Sequence, residues 1–412
     1  MPLRVAFLVK SLPMMSWVAD QVVGLESRGL EVSPLAMQME PGAGSGPAIG
    51  PGGARARLLG LPAGPGRKAG AVMAEAAGAL AQDPRAACPA LGRIRRRTGA
   101  FRTVLGFAAL RRRAQLLHAH FGNYAASVLP VKRLTGLPFI VSFYGWDASA
   151  APLRDPGMYQ DLFAESRAVI ALSEEMRQTL EGLGCPAGKI EIVHISVQGR
   201  KLREEASAAR QEGGGGEDPA SGLHLLAVAR LVEKKGLDDA LDALALVARR
   251  QIPFRFRIAG DGPLRSELES QAAVLGLRDR VEFLGALSRK AVFAEMGRTD
   301  LFFLPSRRAA SGDREGTPTV LIEAGALGLP CVATLHAGTP EVVLHGETGL
   351  LAAERDVPAL AEAVIRLARD RELRRRMGAA AMRHIEAGFE LESQCARLES
   401  IYRRCLGPAK AA

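Results

Sequence analysis

Aromatic residues make up only 5% of this 412-residue chain, too few to interleave with its basic runs as a nucleic-acid-binding surface would need. No stretch is long and apolar enough to span a bilayer. The five cysteines, Cys88, Cys185, Cys331, Cys395 and Cys405, are odd in number, widely scattered and free of any C-x-x-C pair. That pattern argues for a reducing cytosol and against a zinc site. No G-x-G-x-x-G follows the first strand-like run at residues 5–9, which disfavours a dinucleotide-dependent oxidoreductase. The start, Met1-Pro2-Leu3-Arg4 followed by five apolar residues, is too short for a secretory core and reads as a buried first strand. The expectation is a cytoplasmic protein without a resident cofactor.

What the chain has in plenty is positive charge, alternation and glycine. The formal net charge is +10, with arginine clusters at Arg93, Arg95, Arg96 and Arg97 and at Arg111, Arg112 and Arg113. An anionic membrane surface or a phosphate-bearing acceptor fits these clusters, as does a general arginine bias on solvated helix faces. Nucleic acid is not expected as a partner. A 48% hydrophobic composition over this length suffices for two domains with their own cores.

Strand-like apolar runs alternate with helical patterns from end to end, which predicts an α/β protein with parallel sheets covered by helices. The runs fall at 5–9, 116–119, 139–143, 168–172 and 190–195, and again at 223–229, 254–259, 281–284, 301–304 and 331–333. A polar, glycine-rich stretch at 211–219 separates the two series and marks a domain boundary or an insertion beside one. A second low-complexity segment at 41–66 reads as a long loop.

Two glutamates eight residues apart, Glu315 and Glu323, carry the chemistry. They follow the apolar run ending at Leu304, and Thr317-Pro318 between them reads as an N-cap and a first-turn proline opening a helix that ends near Gly328. This sets Glu315 in a loop before a helix N-terminus and Glu323 about two turns inside. Free amides at such a terminus suit phosphate, and nearby carboxylates suit sugar hydroxyls. A sugar nucleotide is the ligand this combination suggests.

The segment resembles the E-x7-E signature of family 4 glycosyltransferases, retaining enzymes of the GT-B fold, in the manner of exopolysaccharide and colanic-acid-type members. The resemblance implies two Rossmann-like doubly wound domains facing across a cleft. An N-terminal acceptor domain would span 1–198, joined by a C-terminal crossing helix at 389–412, and a donor domain would span 199–388. It implies that Glu315 holds donor-sugar hydroxyls and Glu323 the ribose, with Gly316, Thr317 and Pro318 lining the same loop. It further implies a diphosphate grip by Arg230 and Lys235 in Ala229-Arg230-Leu231-Val232-Glu233-Lys234-Lys235-Gly236. Cations fixed there would stabilise charge building on the leaving diphosphate. No D-x-D occurs, and no metal is expected. Gly260 and Gly262 of Ile258-Ala259-Gly260-Asp261-Gly262-Pro263, a turn opening a helix at Pro263, match the family near the nucleotide, and Gly285 matches its base-contacting loop.

The first half offers His118-Ala119-His120-Phe121-Gly122 and Phe143-Tyr144-Gly145-Trp146-Asp147, two strand ends on the edge where open α/β sheets bind ligands. Many family members carry histidine where Tyr144 stands. Tyr144 supplies a hydroxyl at that place, or His120 reaches it, and Asp147 joins them as a candidate catalytic residue; the plainer reading of His120 is a satisfied core histidine. His336-Ala337-Gly338-Thr339-Pro340-Glu341 also matches the family. The expected function is sugar transfer from a nucleotide diphosphate to a saccharide or lipid-linked acceptor, at the inner face of the membrane. The rival is a non-catalytic nucleotide-sugar or polyanion-binding relative.

Overall fold

The computed structural model describes residues 2–12, 14–39, 57–58, 114–212 and 222–407. The arginine clusters, most of 41–66 and the run of four glycines at 213–216 lie outside the described residues. The chain divides into two compact units. One comprises Met1–Ala171, Arg177–Val193 and the chain from Cys395 on; the other comprises Leu172–Met176 and His194–Gln394.

The first unit is built on a seven-stranded sheet of order β3-β2-β1-β4-β5-β6-β7. Its strands are β1 (Arg4–Leu12), β2 (Glu31–Met39), β3 (Arg57–Leu58), β4 (Leu116–His120), β5 (Phe139–Ser142), β6 (Ala168–Ala171) and β7 (Ile190–Ile192). The second unit has a six-stranded sheet of order β10-β9-β8-β11-β12-β13. Its strands are β8 (Leu223–Val228), β9 (Phe254–Ala259), β10 (Val281–Gly285), β11 (Leu301–Leu304), β12 (Cys331–Thr334) and β13 (Gly349–Ala352). Every described strand pair is parallel. Parallel strands need helical crossovers that cover both faces, which is why β4, β5, β6, β11, β12 and β13 are buried at every position.

The helices carry the matching stripes. In Leu237–Arg249, Leu237, Ala240, Leu241, Leu244 and Ala245 are buried at helical spacing, with Asp238 and Asp239 in the first turn and Arg249 in the last. Asp356 and Asp370 cap the next-to-last helices of this unit, accepting from the amides of Ala359 at 3.0 Å and Leu373 at 2.8 Å.

Three strands were not expected. β2 contains Pro34, which cannot donate to a ladder and so argues against an interior strand. It is tolerated because β3 reaches only Leu35 and Ala36, leaving Pro34 unpaired on that side. β3 has two residues, too short for periodicity to speak, and β13 opens on Gly349 with only Leu350 and Leu351 strongly apolar. Elsewhere the expected strands shift by one to three residues at their ends; β1 runs on to Leu12 and β7 stops at Ile192. The final helix spans Leu391–Leu406.

Candidate functional site

Both sheets reverse their winding once. In the second unit the reversal lies between β8 and β11, adjacent strands whose connections leave to opposite sides. Open α/β sheets bind ligands beyond the carboxyl ends of the strands at such a point. Arg230, Lys234 and Lys235 follow β8, and Glu315 follows β11. Gly236 draws the two loops together: its φ is +62°, and a Cβ there would sit 2.0 Å from the Pro305 carbonyl oxygen. Only glycine permits that approach.

The result is a compact charge cluster. Lys235 Nζ lies 3.1 Å and Lys234 Nζ 3.7 Å from Glu315 Oε1. Lys234 also donates to Asp313 Oδ1 at 3.1 Å and to the Arg314 carbonyl at 3.3 Å. The Lys235 and Glu315 side chains are 14% and 10% exposed, so water screens the pair poorly. Burial pushes the Glu315 carboxyl up, but Lys235 and Lys234 more than offset this and hold it below its ordinary value. Arg230 is exposed at the same sheet edge and has no ion pair among the described residues.

Below this cluster the chain enters the helix Thr319–Ala326. Its N-cap is Pro318, not Thr317, and no side chain caps it. Thr317 is drawn off the helix axis by packing: the Gly316 carbonyl accepts from the Gly338 amide at 3.0 Å, and a Cβ on Gly338 would lie 2.4 Å from Thr317 Oγ1. The Leu321 amide donates to the Pro318 carbonyl at 3.0 Å, and the helix start has no N-cap side chain, a terminus of the kind that suits a phosphate. Glu323 is the fifth residue of the helix, a little over one turn in rather than two, and half-buried.

Two further clamps fix the loop, and only the structure reveals them. Arg307 is buried and spans Asp239 at 2.5 Å and Asp238 at 2.6 Å, the acidic first turn of Leu237–Arg249, while its amide donates to the Lys234 carbonyl at 2.8 Å. His336 is buried between Glu354, 2.6 Å from its Nδ1, and the Glu315 amide, which donates to its Nε2 at 3.1 Å. Neither pairing has a spacing signal, because the partners lie 68 and 18 residues apart.

Gly260, Gly262 and Gly285 form a backbone turn beside Arg230. Gly260 has φ +140°, and a Cβ there would lie 1.8 Å from the Ala229 carbonyl oxygen; its amide donates to the Gly285 carbonyl at 2.7 Å. The following helix begins at Arg265, two residues after Pro263, and the amide of its N-cap Leu264 donates to the Leu231 carbonyl at 3.1 Å.

In the first unit the winding reverses between β1 and β4, and β4 ends in His118 and His120. Both rings are fully buried and stack at 4.4 Å. His118 bonds Tyr402 at 2.7 Å through Nδ1 and Ser142 at 2.8 Å through Nε2, which makes it a satisfied core residue. His120 Nδ1 lies 2.6 Å from the Tyr144 hydroxyl, and its Nε2 has no hydrogen-bond partner among the described residues. Burial pushes His120 down to about 3, so it stays neutral at physiological pH. Burial likewise raises the Tyr144 phenol. Asp147 is fully buried, and its carboxylate accepts from the amides of Gly122 at 2.7 Å and of Tyr144 and Gly145 at 2.9 Å. With both oxygens committed to the backbone, it holds the Tyr144 loop in place and is not presented to a ligand. Tyr144 and His120 are brought together; Asp147 supports them.

Among the described residues, no group of three or more His, Cys, Asp or Glu is placed to hold a metal ion, and no helix is long and apolar enough to cross a membrane.

The description "Glycosyl transferases group 1" matches residues 219–384, and "Glycosyl transferase 4-like domain" matches residues 16–195. The chain carries a glycosyltransferase group 1 domain and a glycosyltransferase 4-like domain. Among curated relatives, it is 33% identical over 258 residues to the amylovoran biosynthesis glycosyltransferase AmsK of Erwinia amylovora, covering 62% of this chain and 61% of that one. It is also 33% identical over 263 residues to the putative colanic acid biosynthesis glycosyltransferase WcaL of Escherichia coli, covering 63% of each. The matches thus span about three-fifths of these relatives' length. Among solved structures, a sucrose-phosphate synthase from Thermosynechococcus elongatus superposes with a TM-score of 0.74 at 19% identity, covering 98% of each chain. Anabaena HepE in complex with UDP gives 0.71 at 18% identity, covering 97% of this chain and 99% of that one. The fold of this chain is accordingly GT-B, as expected from the E-x7-E resemblance.

Proposed function

We propose that the chain is a retaining glycosyltransferase that moves a sugar from a nucleotide diphosphate to a saccharide or lipid-linked acceptor in surface polysaccharide assembly. The observation that carries this reading is the Lys235–Glu315 pair at 3.1 Å, set at the switch point of the second sheet beside a helix start without a side-chain cap. Cation, amides and carboxylate are the three things a sugar diphosphate needs, and they stand within one loop cluster. The naming of AmsK and WcaL for amylovoran and colanic acid biosynthesis, and the UDP bound to HepE, support the polysaccharide and nucleotide parts.

In this reading Arg230 and Lys235 hold the diphosphate and stabilise the charge it gains as the anomeric C–O bond breaks. Glu315 accepts hydrogen bonds from sugar hydroxyls, and Glu323 accepts from the ribose. The acceptor hydroxyl bonds to the anomeric carbon on the face the diphosphate leaves, and its proton passes to the departing phosphate oxygen. Retention and independence from a metal follow from that scheme and belong to the proposal. The acceptor is assigned to the first unit, near His120 and Tyr144. The working place is the cytoplasmic face of the membrane.

The experiment is to incubate the protein with a panel of nucleotide diphosphate sugars and lipid or saccharide acceptors, with and without a chelator. The product anomer is then read by NMR. Transfer with retention that survives the chelator is expected. Inversion would overturn the mechanism, and nucleotide binding without transfer would favour a non-catalytic relative.

A further inference from the structure

We propose that His336 is a positioning residue for Glu315, acting as a neutral imidazole whose Nε2 accepts the Glu315 amide while Glu354 fixes its tautomer. This rests on the donor-site reading above and adds to it a residue outside the ligand-contacting set.

Donors and acceptors fix the state of the ring. The Glu354 carboxylate can only accept, so the hydrogen on the 2.6 Å bond must sit on His336 Nδ1. The Glu315 amide can only donate, so Nε2, 3.1 Å away, must offer its lone pair. One protonation state satisfies both, the neutral Nδ1–H tautomer. A protonated ring would set N–H against N–H at the Glu315 peptide. The ring is wholly buried, so it cannot swing out to relieve that clash.

The surroundings hold the ring in that state. Burial lowers the His336 pKa, and Arg314 adds to this, while Glu354 and Glu315 oppose it; the net direction is down. Glu354 is held in turn by the Arg308 amide at 2.9 Å. A chain therefore runs from the start of the loop, through Glu354 and His336, back to the Glu315 peptide. It ties the carboxylate's backbone at one end while Lys235 and Lys234 tie its oxygen at the other. The pair fixes Glu315 from two directions, so that its carboxylate meets sugar hydroxyls without a reorganisation cost.

The test has two parts. Nitrogen NMR of histidine-labelled full-length protein reads the ring state with no reference to activity. The ring should be the neutral Nδ1–H tautomer at neutral pH, with burial moving its protonation below the ordinary histidine range. A protonated ring or the Nε2–H tautomer at neutral pH overturns the proposal. The second part compares His336→Phe with His336→Gln, whose amide oxygen can reach the Nε2 position. His336→Phe should cut kcat for sugar transfer about tenfold, the effect of leaving one buried amide unpaired, with nucleoside diphosphate affinity within about twofold of wild type. His336→Gln should recover part of that kcat. Equal kcat in all three proteins overturns the proposal, as does a loss confined to nucleotide affinity. If His336→Phe does not fold, the NMR result and the His336→Gln kcat decide. Failure of wild type to bind any nucleoside diphosphate would instead defeat the donor-site reading, with the NMR result still judging the ring.

Discussion

Replacing Glu315 by glutamine should tighten the binding of a nucleoside diphosphate while damaging sugar transfer. The reason lies in the cluster itself. Lys235 has a partner before any ligand arrives, 3.1 Å away and only 10% exposed. A diphosphate that reaches Lys235 must share it with the Glu315 carboxylate. If phosphate and carboxylate flank Nζ at hydrogen-bond distance, they stand about 6 Å apart, and at an effective dielectric near 20 their repulsion is about 3 kcal/mol. Relaxation and the loss of a charged neighbour that organises both lysines take back part of this. The net gain is about 1–2 kcal/mol, or roughly five- to thirtyfold in affinity. The sugar-bearing donor gains less, because the glutamine accepts weaker hydrogen bonds from its hydroxyls, and turnover should fall about tenfold or more. Calorimetric titration of nucleoside diphosphate at fixed, low salt measures the first effect and product release the second. Weaker or unchanged diphosphate binding in Glu315→Gln would refute the idea that Glu315 and the phosphate compete for Lys235.

Arg230→Ala and Lys235→Ala should each reduce donor binding and turnover at least about tenfold, since a charge-assisted hydrogen bond is worth about 1.5–3 kcal/mol; steady-state kinetics at varied donor concentration checks this. Arg307→Met should destabilise the second unit by about 3 kcal/mol, because Asp239 and its neighbour lose a buried counter-ion, and a urea midpoint shift measures it. Stability should fall as the solution is acidified from neutrality. His118, His120 and His336 are held neutral by burial, so below about pH 6.5 the unfolded chain binds protons that the folded chain refuses. His120 lowers stability by up to about 1.4 kcal/mol per pH unit below about pH 6.5, a decline that continues to its folded value of about 3, and His118 and His336 act in the same direction. Urea unfolding at pH 7 and pH 5 reads the difference; equal midpoints would contradict it.

Much of this was legible in the chain. Long apolar runs flanked by helical patterns announced parallel sheets, because strands buried on both faces leave a continuous hydrophobic signature such as Leu301–Leu304. β2 with its proline, β3 with two residues and β13 with its glycine start left no such mark. The spacing of Glu315 and Glu323, with lysines after β8, pointed to the edge where the second sheet reverses its winding. Helix starts were less legible, since Thr317 and Pro263 have the right residue types but their neighbours Gly316 and Leu264 bond to Gly338 and Leu231 of adjoining loops. Arg307 and His336 were invisible as loop-holding residues because their partners are distant in sequence. Asp147 illustrates the reverse case: a carboxylate at a ligand-binding sheet edge reads as chemistry, yet three backbone amides occupy it.

The most direct test of the central claim, a nucleoside diphosphate site in the second unit, is calorimetric titration of the common nucleoside diphosphates into wild type and Glu323→Ala. Saturable binding of at least one of them to wild type is expected, weakened about tenfold in the variant with its circular dichroism unchanged. No binding to wild type, or equal binding to both proteins, would contradict it.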